Sequence, residues 1–247
     1  ILYARVCVSF FIFRDLSCGE LFFIYQANNE ELRENRRIFL ERNEFDRWIC
    51  FGRRQSRRMG QDKAALLLGG RTLIDRAAGA MFSIANTVYL VGNSNDAITS
   101  LPIIQDHPIM GDARGAIVGL YTALVSAKTE WIAVLACDLP FVTGELTTRM
   151  VDILRHCLDS EMNHIDAIFA EQPDGRNQPL CGLYRRDSCL PKVETMLSDR
   201  EWRIQRLRER LQVRVIGFSE IKDIQGSEFL FLNLNTPEEY RAAVEIE

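Results

Sequence analysis

One stretch decides the fold: Trp131-Ile132-Ala133-Val134-Leu135-Ala136-Cys137-Asp138-Leu139-Pro140-Phe141. The apolar run that opens it has the length and composition of a strand buried on both faces of a sheet. Sheets of this kind bind ligands beyond the carboxyl ends of their strands, so Asp138 is expected in a ligand crevice. One carboxylate together with substrate phosphates suits Mg²⁺ at such a place. The other reading, a cap for the next helix, fits Thr143 better because Thr143 lies closer to the helix start.

Similar apolar runs recur along the chain, with helical patterns between them. They lie at 48–51, 87–91 and 167–170, and stripes of apolar residues starting at Leu73 and Ile117 predict helices packed on one face. Beyond them the pattern predicts a strand at 180–184, a helical pair around 193–211, a strand at 213–218 and a last helix with Thr236 as N-cap and Pro237 at its first position. Strands alternating with helices predict a three-layer α/β domain with a mostly parallel central sheet.

The composition bounds the class of protein. The chain has 247 residues, of which 47% are apolar and 26% charged, values ordinary for one large globular domain. Its net charge of -4 disfavours nucleic acid and acidic membranes as partners. The 7 cysteines include no C-x-x-C pair, which predicts a reducing, cytoplasmic compartment. The apolar run near the start is far shorter than the roughly 20 residues of a membrane-spanning helix.

The composition changes at about residue 47, which divides the chain into an extension and a domain. Residues 1–46 contain an aromatic patch and a stretch dense in Glu and Arg, but no motif that carries chemistry. The chain also begins with Ile1 rather than Met. We predict an N-terminal extension over 1–46, either disordered or translated out of frame, followed by the α/β domain over 47–247.

Two further segments suit a phosphate ligand. The basic segment 55–63 follows the predicted strand at 48–51, and its Arg58 and Lys63 can neutralise a triphosphate at the sheet edge. The alternative is a solvated basic turn. Asp106 stands after another short apolar run, in a place equivalent to that of Asp138, and a turn-forming Asp before His107-Pro108 is the competing interpretation.

Taken in order, the motifs resemble those of the molybdenum cofactor guanylyltransferases, nucleotidyltransferases of Rossmann-like fold. The resemblance runs from about Trp48 to the C-terminus. It rests on R-R-M-G-Q-D-K at 57–63, G-G-R-T-L-I at 69–74, Asp106, G-A-I-V-G-L at 115–120, A-C-D-L-P-F at 136–141, N-Q-P-L-C-G-L-Y at 177–184 and N-L-N-T-P-E-E at 233–239. The resemblance implies transfer of GMP from GTP to molybdopterin, with pyrophosphate as the second product.

The resemblance also implies roles for individual residues. Lys63, Arg58 and Asp138 would be catalytic, with Lys63 and Arg58 on the nucleotide phosphates and Asp138 holding Mg²⁺. The implied GTP-binding set is Phe51, Gly52, Arg53, Lys63, Asn93, Asp106 and Asp138, with Asn93 and Asp106 on the guanosine. The implied pterin-side set is Gln178, Pro179, Asn233 and Asn235. The expected partners are GTP and molybdopterin, with transient contact to molybdenum-insertion proteins or molybdoenzyme chaperones and a monomeric chain.

The sequence departs from the family pattern in the phosphate loop. The family has L-A-G-G where this chain has Phe51-Gly52-Arg53-Arg54, so both glycines of the pair are arginines. Glycine at such a position lets backbone N–H groups approach phosphate and adopt positive φ. Two guanidinium groups could replace that cradle. The alternative functions are cytidylyl or other nucleotidyl transfer by the same fold, and nucleotide binding without catalytic activity.

The genetic code supplies another hypothesis for the arginine pair. Residues 48–54 can be encoded as TGG ATT TGT TTT GGC CGG AGG, and reading one base later, with a following C, gives Gly-Phe-Val-Leu-Ala-Gly-Gly. This is the missing family motif. A single base lost just before Gln55 would place residues 1–54 out of frame.

Overall fold

The computed structural model describes residues 65–92, 99–108, 115–160 and 164–247, together with the backbone of three strands at 11–14, 21–24 and 48–51. The chain divides into two compact units, Ile1–Glu44 and Phe45–Glu247. In the first unit, β1 (Phe11–Arg14) and β2 (Leu21–Ile24) pair antiparallel. The sequence motifs that suggest a function fall in the second unit.

A 7-stranded sheet forms the centre of the second unit. In chain order its strands are β3 (Trp48–Phe51), β6 (Val88–Val91), β7 (Ile103–Ile104), β8 (Trp131–Ala136), β9 (Ala167–Glu171), β10 (Asn177–Arg185) and β11 (Val213–Ile216). A separate hairpin joins β4 (Leu67–Leu68) to β5 (Arg71–Thr72). The spatial order in the sheet is β11-β9-β10-β8-β3-β6-β7.

All neighbouring strands of the large sheet run parallel except β10, which is antiparallel to β8 and to β9. A tight turn causes the reversal: the Gln172 amide donates to the Arg176 carbonyl at 2.8 Å, and Gly175 has φ +81. A turn this short can join only antiparallel strands. The prediction of a mostly parallel central sheet is confirmed.

Helices cover both faces of this sheet. They are α1 (Leu73–Phe82), α2 (Ala116–Ser126), α3 (Gly144–Asp159) and α4 (Arg186–Ser198). A fifth helix, α5 (Pro237–Ile246), packs with the β4–β5 hairpin and the start of α1. Helices α1 and α3 share one apolar cluster with side chains of β6 and β8, whereas α2 and α4 pack in a second cluster that holds the alternate side chains of β8. Strand β8 is buried along its whole length, so the predicted three-layer domain is confirmed.

Local sequence signals place several element ends. Thr143 and Thr236 are the N-caps of α3 and α5, and their hydroxyls accept hydrogen bonds from the Leu146 and Glu239 amides. The predicted strand at 213–218 ends two residues earlier, because the Gly217 amide donates to the Glu220 carboxylate and starts a short 3₁₀ turn.

The helical pair predicted around 193–211 has a different form. Helix α4 already begins at Arg186, and the second member is a 3₁₀ run over Ile204–Arg210. Arg200, at φ +57, separates the two, and its amide donates to the Leu197 carbonyl at 3.2 Å. Within the described part of the chain, no helix combines the length and the apolarity needed to cross a membrane.

Candidate active site

Four parallel strands end side by side at one edge of the sheet. Phe51 of β3 pairs with Val91 of β6 and with Ala136 of β8, and Val91 pairs in turn with Ile104 of β7. These four residues are the last of their strands. This carboxyl edge is where open α/β sheets bind their ligands.

Asp138 and Asp106 occupy matching places beyond this edge, each two residues after the end of its strand. Their strands, β8 and β7, are separated by β3 and β6. At about 4.8 Å per strand spacing, the two aspartates lie roughly 14 Å apart along the edge. They are therefore too far apart to bind one Mg²⁺, whose oxygen ligands lie about 2.0–2.1 Å from the ion.

The backbone at Asp138 is fixed by a distant part of the chain. The Leu234 amide donates to the Asp138 carbonyl at 3.1 Å. Leu234 is fully buried in a small apolar cluster with Leu68, Leu73 and Ala243, which joins the β4–β5 hairpin to α1 and α5. Asp138 itself is half-buried beside this anchor.

The same anchor brings the predicted pterin-side asparagines to Asp138, because Asn233 and Asn235 flank Leu234. The Asn235 amide donates to Glu239 Oε2 at 2.5 Å, within the capping box of α5. The Asn233 side-chain amide donates to the Phe231 carbonyl at 3.3 Å. The backbone of the 233–235 segment thus lies beside Asp138. The pterin-side role of the two asparagines stays a prediction.

The other predicted pterin-side residues lie in a large β-bulge at the same edge. Gln178 faces Ala170 of β9 and Gly182 faces Phe169, so the three residues of β10 between them have no counterpart on β9. Gln178 and Pro179 are both buried. Because β10 enters the sheet next to β8, this bulge lies on the far side of Asp138 from Asp106. Bulges next to active sites commonly redirect side chains.

Two residues that the sequence reasoning did not single out hold the bulge in place. The fully buried Tyr184 hydroxyl donates to the Pro179 carbonyl. A Cβ on Gly182 would lie 2.9 Å from the Ile168 carbonyl oxygen, so only glycine allows β9 to approach this closely. A glycine inside a strand pattern is the signal that could have indicated this position.

The segment at Asp106 is attached to α2. The His107 amide donates to Thr122 Oγ1 at 3.0 Å, and this hydroxyl donates to the Val118 carbonyl at 2.9 Å. The His107 ring meets Tyr121 edge-on, with centroids 5.5 Å apart. Gly115, the N-cap of α2, has φ +94, a conformation that L side chains rarely adopt. The segment that follows β7 is therefore attached to the middle of α2.

Several predicted site residues lie outside the described residues. These are Gly52, Arg53, Arg58, Lys63 and Asn93, and for Phe51 only the backbone is described. Phe51 ends β3 between the ends of β6 and β8, and Gly92 ends the described part of the chain after β6. The roles of all these residues stay predictions.

The described residues near the edge include the carboxylate of Asp138, an oxygen ligand of the kind that Mg²⁺ binds. Among the residues for which positions are given, no three His, Cys, Asp or Glu side chains come together as a metal site. Magnesium commonly binds one or two carboxylates while substrate phosphates and water complete its shell, which Asp138 alone could begin. Burial raises the pKa of the Cys181 thiol in the bulge to about 12, so this thiol stays protonated and is no nucleophile.

Comparison with known proteins agrees with this architecture. A family model described as the MobA-like NTP transferase domain matches residues 54–215. The chain is 32% identical to a probable molybdenum cofactor guanylyltransferase of Carboxydothermus hydrogenoformans, over 78% of this chain and 91% of that protein. It is 30% identical to the molybdenum cofactor guanylyltransferase of Desulfosudis oleivorans, over 76% of this chain and 89% of that protein.

Solved structures share the fold at lower identity. The molybdopterin-guanine dinucleotide biosynthesis protein A of Archaeoglobus fulgidus superposes with a TM-score of 0.66 at 21% identity, covering 81% of this chain and 97% of its own. The 4-diphosphocytidyl-2C-methyl-D-erythritol synthase of Anaerococcus prevotii gives a TM-score of 0.56 at 12% identity, covering 82% and 98%. Since the family model matches more than half of the sequence, this chain belongs to the MobA-like NTP transferase domain family, a family of nucleotidyltransferases.

Proposed function

We propose that the protein transfers GMP from GTP to molybdopterin and releases pyrophosphate. The observation that carries the proposal is the hydrogen bond from the Leu234 amide to the Asp138 carbonyl, which joins the N-L-N segment at 233–235 to the Asp138 segment at the carboxyl edge. The names of the relatives at 30% and 32% identity support the choice of substrates. Buried thiols at Cys137, Cys157, Cys181 and Cys189 suit the reducing cytoplasm in which we expect the reaction.

The order of strands along the edge suggests how the two substrates are arranged. Asn93 and Asp106 follow β6 and β7, the phosphate-loop residues follow β3, Asp138 follows β8, and the bulge begins β10. Guanosine, triphosphate, metal and pterin would then succeed one another across the sheet. The acceptor phosphate would then have to approach the α-phosphorus in line with the bond to the leaving pyrophosphate, from the side opposite to that bond.

The reaction itself needs little covalent work from the protein. A phosphate oxygen of molybdopterin attacks the α-phosphorus of GTP, and the bond from this phosphorus to the bridging oxygen of pyrophosphate breaks. Asp138 would hold Mg²⁺, which when bound neutralises charge on the phosphates. Lys63 and Arg58 would neutralise the remaining charge, and alignment of the two substrates supplies much of the acceleration.

The decisive experiment measures nucleotide binding and pyrophosphate release on the same protein. We expect calorimetric titration to show tighter binding of Mg²⁺-GTP than of Mg²⁺-CTP, and pyrophosphate release only when molybdopterin is added. We expect Asp138→Asn to reduce turnover at saturating GTP by about 100-fold or more. The matched control is Asp152→Asn, an exposed aspartate on α3, which should leave turnover unchanged.

Each result decides between the proposal and its alternatives. Selective binding of CTP favours cytidylyl transfer, and GTP binding without pyrophosphate release favours a binding protein without catalytic activity. Full turnover of Asp138→Asn contradicts the metal-binding role. Transient contacts with molybdenum-insertion proteins or molybdoenzyme chaperones would follow only if the chain binds GTP selectively and releases pyrophosphate with molybdopterin, because only then is the product made.

The arginine pair is tested in the same titrations. Restoring both family glycines, Arg53→Gly with Arg54→Gly, should raise the affinity for GTP on the order of 10-fold if the arginines obstruct the phosphate cradle. An affinity that falls instead shows that the two guanidinium groups have replaced the cradle. Sequencing the DNA across the codon of Gln55 tests the lost-base hypothesis independently, because the shifted frame must encode the Gly-Gly motif.

A further inference from the structure

The side-chain amide of Asn177, at the start of β10, contains a buried polar atom without a hydrogen-bond partner. Its Oδ1 atom is buried and has no hydrogen-bond partner. Asn177 pairs with Glu171 at the end of the β9–β10 hairpin, so it stands at the carboxyl edge of the sheet. Buried side-chain polar atoms are nearly always paired in folded proteins, so an unpaired one calls for an explanation.

Other unpaired buried polar atoms of the described residues have different surroundings. Arg76 and Arg155 lack a partner only at Nε, because their terminal nitrogens contact Glu247 and Asp152. Trp131 Nε1 lies at the start of β8, away from the carboxyl edge. His107 Nδ1 is on the opposite side of Asp138, next to Asp106. Asn177 therefore differs from them in lying on the acceptor side.

The register places Asn177 near the other acceptor-side residues. Cys181, opposite Leu135, is the first residue of β10 that pairs with β8, and Asn177 lies four positions before it in the chain, on the side of the carboxyl edge. Gln178 and Pro179, the first residues of the bulge region, follow Asn177 directly. The amide is thus held by the same bulged strand that carries two predicted pterin-side residues.

We propose that the Asn177 amide hydrogen-bonds the pterin ring of the acceptor and thereby helps to select it, an inference that rests on the proposed function. The pyrimidinone edge of a pterin presents N–H donors beside a carbonyl acceptor. A side-chain amide carries one donor and one acceptor group side by side. It can match this edge through two hydrogen bonds when its oxygen accepts from the ring N–H and its NH2 donates to the ring carbonyl.

Guanine shares this pyrimidinone edge, so the guanosine of GTP is the second source of the same chemistry. The strand order favours the pterin, because β10 and the strands before Asn93 and Asp106 lie on opposite sides of β8 and β3. An experiment that measures the two ligands separately distinguishes them.

The test compares Asn177→Leu, which keeps the size of the side chain but removes both hydrogen-bonding groups, with the wild-type chain. We expect the Kd and KM for molybdopterin to rise about 10-fold, the size of one or two lost neutral hydrogen bonds. The Kd for GTP and kcat should stay within about twofold. The melting temperature should not fall, because the variant loses an unpaired buried oxygen. Arg176→Leu, an exposed change in the same hairpin, is the matched control and should alter none of these values.

Every other result overturns the inference. A lower melting temperature with unchanged molybdopterin affinity would make the role of Asn177 structural, and a weaker affinity for GTP alone would assign the amide to guanine. A wild-type chain that binds no molybdopterin also overturns it. If the wild-type chain binds molybdopterin but releases no pyrophosphate, the proposed function fails, whereas the comparison of molybdopterin Kd values still tests Asn177.

Discussion

Replacing Tyr184 by Phe removes one hydroxyl group from the interior of the sheet and should loosen the β-bulge at the candidate acceptor site. Tyr184 is fully buried, and its hydroxyl donates to the carbonyl of Pro179, which is buried as well. In the variant this carbonyl loses its partner at a place that water does not reach. A buried polar group left unpaired costs about 1–3 kcal/mol, so we expect the free energy of unfolding to fall by about 2 kcal/mol.

Urea denaturation and thermal melting both measure this change. For a chain of this length, about 2 kcal/mol corresponds to a decrease of roughly 4–8 °C in melting temperature. Burial raises the pKa of the Tyr184 hydroxyl well above its ordinary value, so the hydroxyl stays protonated and able to donate. The difference between wild type and variant should therefore be the same at about pH 6 and about pH 9.

Tyr240→Phe is the matched control for this experiment. The Tyr240 hydroxyl also donates to a backbone carbonyl, that of Leu67, but Leu67 is 56% exposed and water can replace the lost donor. The control should change stability by no more than about 0.5 kcal/mol. Equal stabilities of Tyr184→Phe and Tyr240→Phe would refute the reasoning. If the bulge positions the acceptor, Tyr184→Phe should also raise the KM for molybdopterin while leaving the Kd for GTP unchanged.

Two further predictions concern the folding of this domain. Asp166 is buried, and its carboxylate accepts a hydrogen bond from Lys192 Nζ at 2.6 Å. Burial raises the pKa of this carboxyl group, but the hydrogen bonds from Lys192 and from the Gln212 amide outweigh burial, so the pKa lies below its ordinary value. A depressed carboxylate pKa gives stability above the unfolded-state pKa that is lost as the pH falls through the folded-state pKa. Asp166→Asn should therefore cost about 2 kcal/mol at neutral pH. The gap in melting temperature between variant and wild type should begin to narrow below about pH 4 and should narrow further as the pH falls through the lower folded-state pKa; a gap that does not narrow in acid contradicts this. Gly182→Ala should cost about 1–3 kcal/mol in urea denaturation, since its Cβ would lie 2.9 Å from the Ile168 carbonyl oxygen. Gly79→Ala in α1, whose Cβ meets only a flexible side-chain end, should be neutral or stabilising, and equal losses in the two variants would argue against the steric explanation.

The elements that the sequence predicted well are those decided by neighbours along the chain. The apolar run at 131–136 is β8 with the same bounds, and the Thr143 and Thr236 caps begin α3 and α5. A cap needs only one side chain and a backbone N–H group two or three residues away. A strand buried on both faces needs only an unbroken apolar run. Such signals are local, and this is why they could be predicted.

The bulge in β10 had only a weak local signal, the glycine at 182 inside the strand pattern. The run at 180–184 predicted a strand, but its antiparallel direction and the unpaired residues before Gly182 depend on how β8 and β9 lie on either side. The Tyr184 hydroxyl donates a hydrogen bond to the Pro179 carbonyl of the same strand, and the bulge between Gln178 and Gly182 brings these two groups together. These contacts follow from the pairing of three strands, which the pattern of one strand does not encode.

The candidate site shows the same division. By itself, the sequence determined which residue types follow each strand, the α/β class of the domain and the motifs on which the family resemblance rests. Only the tertiary structure decided that Asp138 and Asp106 lie roughly 14 Å apart, and that the amide of Leu234, between Asn233 and Asn235, donates to the Asp138 carbonyl. Nearly a hundred residues of chain separate these partners. Their contact depends on the register of the parallel strands and on the burial of Leu234, and both result from packing between segments that are distant in sequence.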